Sequence, residues 1–105
     1  MSRIDCKQAQ AVEANATEAA SLLRALSHAA RLSVACELVG GERTAGALVE
    51  TSGLSQSALS QHLAVLRAEG VVATRRDGQT IHYRLADRRV ERLIGTLHEL
   101  FCKGP

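Results

Sequence analysis

A chain of 105 residues is short enough to be one domain, and its formal net charge of +2 by itself says little about partners. Only Tyr83 and Phe101 are aromatic, so the core must be aliphatic, and a core of that size gains from a partner subunit. The opening "MSRIDCKQAQ" has no apolar signal region and no stretch is long enough to cross a bilayer, so the chain is expected in the cytoplasm with no membrane partner. There its three cysteines, none in CxxC spacing, are expected to be reduced thiols, which argues against a disulfide scaffold or a zinc knuckle.

In chain order, residues 1–8 read as a flexible tail, and residues 9–105 as the folded domain. Val12, Ala16, Ala19, Leu22, Leu23 and Leu26 recur at helical spacing and predict one helix from Gln10 to Leu26. Ser27 is placed to cap a second helix, "HAARLSVACELV", stopped by Gly40–Gly41. In it Leu32, Ala35, Cys36 and Val39 follow i, i+3, i+4, i+7, which puts Cys36 on the packing side, where cysteine ordinarily serves as a small buried hydrophobe. Thr44 caps a short third helix, "AGALVETS". After Gly53, Ser55 caps a fourth that runs to about Glu69 with Leu59, Leu63 and Leu66 inward.

Two β-type runs follow, "VVATRR" and "TIHYRL", separated by Asp77-Gly78-Gln79, a hairpin signal that predicts a type I′ turn. Asp87 caps the last helix, where Val90, Leu93, Ile94, Leu97 and Phe101 form one stripe. Two helices joined by a tight turn and followed at once by a hairpin spell a mainly α winged helix-turn-helix.

In that fold the second helix of the pair presents its first turns to the major groove. Here those turns, with the end of the same helix, carry Ser55, Gln56, Ser57, Ser60, Gln61 and Arg67. Gln pairs bidentately with adenine, and Ser donates or accepts with any base. Arg75, Arg76 and Gln79 on the wing suit phosphate or the minor groove. Residues 56–105 carry eight Lys/Arg against five Asp/Glu, and residues 1–55 five against six, so the basic half is the one that holds these elements. Singly, each such side chain would equally well solvate a surface. As an ordered set they point to double-stranded DNA. His62, beside Leu63, is assigned to packing.

"LSHAARLSVACEL", "GLSQSALSQHLAVLRAEGVV" and "RRDGQTIHYRL" resemble the ArsR/SmtB family of bacterial winged-helix repressors over about residues 18–102. The resemblance implies a homodimer packed through its first and last helices on a palindromic operator, released by an inducer. Leu22 and Leu26 on the first helix and Leu93, Leu97 and Phe101 on the last are then expected at the dimer interface. Neither metal pattern of the family is present. The third-helix region, "ERTAGALVE", lacks cysteine. In the last helix, Asp87 is followed by Arg89 where the zinc-type pattern needs His, and Leu100 and Lys103 stand at the later ligand positions. No metal and no cofactor is therefore expected.

Cys36 and Cys102 remain, and their placement resembles the persulfide-sensing BigR/SqrR/HlyU-like branch, in which such a pair is the sensing dithiol controlling sulfide-oxidation or related genes. An inorganic or organic persulfide is the implied inducer, and Cys6 has no counterpart. A disulfide needs Cα atoms within about 7 Å, and each inserted sulfur adds roughly 2 Å, so thiols slightly too far apart would prefer a polysulfide link. Three other readings compete. A soft metal ion could be held by Cys36, His98 and Cys102. Cys36 could be an enzyme's nucleophile, although no glycine-rich active-site loop surrounds it, so no enzyme is expected. The winged helix could instead bind protein.

Overall fold

The computed structural model describes residues 4–102. Its elements are α1 (Cys6–Ala14), α2 (Ala16–Ala25), α3 (Ala29–Leu38), β1 (Arg43–Thr44), α4 (Ala45–Ser52), α5 (Gln56–Ala68), β2 (Val72–Asp77), β3 (Thr80–Leu85) and α6 (Arg88–Phe101). The architecture is a winged helix-turn-helix, with six helices and one small antiparallel sheet in the order β1-β3-β2.

The expected first helix is two. Asn15 breaks it by giving its side-chain amide to the Ala11 carbonyl (2.9 Å), while its own N–H turns to Val12 (3.0 Å). A short polar side chain that competes for the backbone acceptors ends a helix this way. The chain is also helical earlier than the expected tail allows, since Asp5 and Gln8 form a reciprocal capping box that starts α1 at Cys6. Residues 1–3 of that tail, and Lys103 at the other end, lie outside the described residues.

The cap of α3 is His28 and not Ser27. The His28 Nδ1 accepts from the Ala30 N–H at 3.1 Å, and the Ser27 hydroxyl donates back to the Arg24 carbonyl. Thr44 and Ser55 cap α4 and α5 as expected, each accepting an N–H three residues on at 3.1 Å. Between them Gly53 adopts φ 72°, the left-handed value that folds α4 back onto α5 within a few residues.

The wing pairs Val72 with Leu85 through to Asp77 with Thr80. The central turn residues are therefore Gly78 and Gln79. Gly78 has φ 63° while no described residue other than glycine has a positive φ, so the turn has the type II′ pattern, with glycine first, and not type I′. Two residues before α4 add a strand the sequence pattern did not suggest, Arg43 opposite Tyr83 and Thr44 opposite His82.

The core is aliphatic. Ala25, Leu26, Val34, Ala35, Leu38, Leu48, Leu59, Leu63, Leu66, Val71, Val72 and Val90 are buried, and no polar or charged residue is buried with them among the described residues. Each fully buried Leu or Val there contributes about 1.5–3 kcal/mol of transfer free energy. This core holds α3, α4, α5 and the roots of β2 and α6 as one body, and it fixes where the polar face of α5 points.

Candidate functional site

The inward stripe of α5 fixes its outward face. With Leu59, Leu63 and Leu66 buried, Gln56, Ser57, Ser60 and Gln61 are exposed, and none of these four side chains has a hydrogen-bond partner among the described residues. Ser55 spends its hydroxyl on the cap, so its part on this face is the helix start itself. The open amino end of α5 carries unpaired N–H groups and favours anions. Arg67, at the far end of α5, is exposed.

On the wing, Arg75 and Arg76 point to opposite faces because side chains alternate along a strand. Arg75 does not stand free as expected. Its Nε donates to both Glu42 carboxylate oxygens, at 2.9 and 3.0 Å, tying β2 to the segment before β1. Arg76 and Gln79 are exposed, and their side chains have no partner among the described residues. Exposed and without a side-chain partner among the described residues are therefore the start of α5, Arg76 and Gln79.

His62 lies half-buried against His28, ring centroids 4.5 Å apart, as a packing residue would. Burial, then the nearby His28 and Arg31, push its pKa down, so near neutrality it is an uncharged ring. Arg31 is itself anchored, its Nε donating to the Ala25 carbonyl at 2.6 Å.

The second site lies on the other side of α3. Cys36 and Cys102 line one groove of about 390 Å³ between α3 and α6, walled by Leu32, Ile94, Leu97 and Phe101, with His98 also on its lining. This corrects the expected burial of Cys36. The core face of α3 is formed by Val34, Ala35 and Leu38, and Cys36, one position round, opens into the groove. Burial by the groove walls, then the neighbouring Cys102, push the Cys36 thiol up. Cys102 ends α6 with its N–H on the His98 carbonyl at 2.9 Å. Cys6 is exposed on α1, away from the groove.

Cys36, His98 and Cys102 line the same groove, while no group of three or more His, Cys, Asp or Glu among the described residues is placed to hold an ion. At the start of α6 a guanidinium stands where the zinc-type pattern calls for His. Arg89 donates to Asp87 at 2.7 Å and to Glu18 at 2.8 Å, joining α6 to α2. The hydrogen bond from Arg89 holds the Asp87 carboxyl below its ordinary range.

Among the expected interface residues, Leu26 is only 6% exposed and belongs to the chain's own core, so it has no surface to offer a partner. Leu22 and Leu93 are half-buried against that core, Leu97 is half-buried, and Phe101 is 80% exposed. Leu23, one position from Leu22, is the more open at 55%. Sequence reading missed it, together with the pairing of Arg75 with Glu42 and of Arg89 with Glu18. None of these left a trace in the sequence; the Asp-x-Arg at the start of α6 signals only the pairing of Arg89 with Asp87.

Comparison with known proteins agrees with this fold. Residues 28–74, from the cap of α3 through the start of the wing, match the model for bacterial regulatory proteins of the arsR family. The biofilm growth-associated repressor of Agrobacterium fabrum is 48% identical over 88% of this chain and 79% of its own. The transcriptional activator HlyU of Vibrio cholerae is 44% identical over 90% of this chain and 88% of its own. The crystal structure of the transcriptional repressor BigR from Xylella fastidiosa superposes with a TM-score of 0.86 at 42% identity, over 90% of this chain and 97% of that one. These relatives are transcription regulators and not enzymes. No helix among the described residues is long and apolar enough to cross a membrane.

Proposed function

The chain belongs to the arsR family of DNA-binding transcription regulators, and from that premise we propose that it is a homodimeric repressor whose operator binding is released when Cys36 and Cys102 react with a persulfide. The observation that carries this reading is the shared groove, in which two thiols from α3 and α6 face the same space. Helix α3 packs on α4 and α5 as well as on α6, so a covalent link between the cysteines ties the DNA-reading pair to the last helix.

The chemistry closes without a further oxidant. A cysteine thiolate attacks the outer sulfur of R–S–SH, forming Cys–S–SH and expelling RS⁻. When both cysteines are so modified, the terminal sulfur of one persulfide attacks the cysteine sulfur of the other. That step expels HS⁻ and leaves Cys36–S–S–S–Cys102. Genes of sulfide detoxification or related oxidation are the regulated set that this inducer implies.

Homodimer formation rests on α6. Its apolar stripe ends in Leu97 and Phe101, and Leu100 beside it is 61% exposed. Leu97→Asp would bury an unpaired charge in that contact and yield monomer or aggregate, and a parent that sediments as a monomer at micromolar concentration contradicts the dimer.

The switch is tested by retardation of the DNA upstream of the protein's own gene, with and without a persulfide donor. An allosteric coupling of ordinary size, about 1–3 kcal/mol, lowers affinity roughly 5–150-fold. Cys36→Ser and Cys102→Ser bind DNA and ignore the donor, while Cys6→Ser responds normally. Release of Cys36→Ser to the same extent as the parent overturns the reading.

A further inference from the structure

The groove between α3 and α6 has a chemical character of its own. Apart from the thiols and His98 its lining is hydrocarbon, and no Lys or Arg among the described residues faces into it. The same walls already disfavour charge on Cys36. A donor carrying carboxylates, or a small inorganic polysulfide anion, would have to shed water there with no cation to meet it. A donor with short alkyl groups would gain from leaving water. A volume of about 390 Å³ is at the small end of ligand sites, enough for a molecule of about ten heavy atoms.

We propose that the groove binds uncharged organic polysulfides, R–S–S–S–R with short apolar R, and passes their central sulfur into a bridge between Cys36 and Cys102. This inference rests on the dithiol reading above and names the class of molecule that reaches it.

The step balances. One cysteine thiolate attacks the central sulfur, and R–S⁻ leaves. The second thiolate attacks the same, now protein-bound, sulfur, and the other R–S⁻ leaves. Two thiols and one trisulfide become Cys36–S–S–S–Cys102 and two R–SH, the cysteines oxidised and the reagent reduced, with the thiol protons carried off by the leaving groups. The walls of Leu32, Leu97 and Phe101 hold the alkyl arms in the groove that both thiols line.

Cys6 supplies the control, an exposed thiol in the same chain outside the groove. The reduced full chain is treated with dipropyl trisulfide or with glutathione trisulfide, which carries the same sulfur chain between charged groups. The loss of each thiol is then followed by mass spectrometry. The expected result is a ratio of Cys36 to Cys6 modification at least about tenfold higher for the dipropyl reagent, the preference that burial of a few methylene groups confers. Leu32→Lys, on α3 and outside the α6 stripe proposed to form the dimer, should erase most of that preference while the denaturation midpoint is read beside it. In the Cys36→Ser/Cys102→Ser variant, dipropyl sulfide, which cannot react, should shift the methyl resonances of Leu32, Ile94 and Leu97 saturably.

Equal ratios for the two trisulfides, or no saturable shift, overturn the groove's selectivity and leave the dithiol switch standing. If both reagents modify Cys36 and neither joins it to Cys102, the dithiol reading itself fails, and this inference with it.

Discussion

Helices α5 and α6 are nearly the same length, 13 and 14 residues, and both carry an apolar stripe, yet they end differently. In α5 the stripe is consumed inside the chain, with Leu59, Leu63 and Leu66 exposed by 1%, 3% and 0%. In α6 burial fades along the helix, from Val90 at 0% through half-buried Leu93, Ile94 and Leu97 to Phe101 at 80%. The reason is what lies opposite. Helix α5 is packed by α3, α4 and β2, whereas α6 rests on α3 and β3 and outruns them. A helix whose apolar side is satisfied internally leaves its polar side free to read another molecule. A helix whose apolar side is left open offers that side to a subunit or a ligand.

The largest expected effect separates the two helices by stability. Leu66→Ala, which empties a fully buried position, should cost about 2–5 kcal/mol in urea denaturation. Leu100→Ala, extrapolated to low protein concentration, should cost under about 0.5 kcal/mol. Similar costs at both positions would erase the contrast.

Next comes the reading face. Gln56→Ala or Ser60→Ala should weaken specific operator binding by about 1–3 kcal/mol for each base that the removed side chain would have read, with the denaturation midpoint unchanged. Exposed Thr96 on α6, changed to Ala, should leave operator affinity where it was. An undiminished affinity in both α5 variants would remove this helix as the reader.

A finer division runs through the wing. Arg76→Ala should lower the slope of log affinity against log salt by about 0.9, the share of one neutralised phosphate. Arg75→Ala should change it less, because Glu42 already holds that guanidinium at 2.9 Å. Glu42→Gln should bring Arg75 into play and steepen the slope. If Arg75→Ala proves the more damaging, the ion pair opens on DNA and the assignment is reversed.

The smallest effect is that of pH on the seat of α5. Burial, His28 and Arg31 hold His62 below its ordinary value of about 6.5. Below that value the unfolded chain takes up a proton that the native His62 refuses. Stability should therefore be flat above about pH 6.5 and decline as pH falls from there toward the native-state value. His62→Gln should remove part of that decline, and an identical pH profile in the variant would show that another group causes it.

Much that depends on neighbours along the chain was legible in the sequence. The local break at Asn15, the Asp5–Gln8 capping box and the His28 cap were not, because several side chains nearby could compete for the same backbone groups. Thr44, Ser55 and Asp87 cap the helices they precede, because a side-chain oxygen reaches an N–H two or three residues on whatever the fold. The stripe of α5 and the Asp-Gly signal placed that helix and the wing for the same reason. Spacing could not decide among neighbours on one helical turn, and there tertiary structure ruled. Ala35, not Cys36, became core because α3 is packed on several sides and its rotation is set by all of them at once. Leu26, just past the end of α2, is buried in the core, while Leu23 is 55% exposed. The pairing of Arg75 with Glu42, 33 residues away, and the meeting of Cys36 with Cys102 at one groove depend on how distant segments pack, and that information lies in no local pattern.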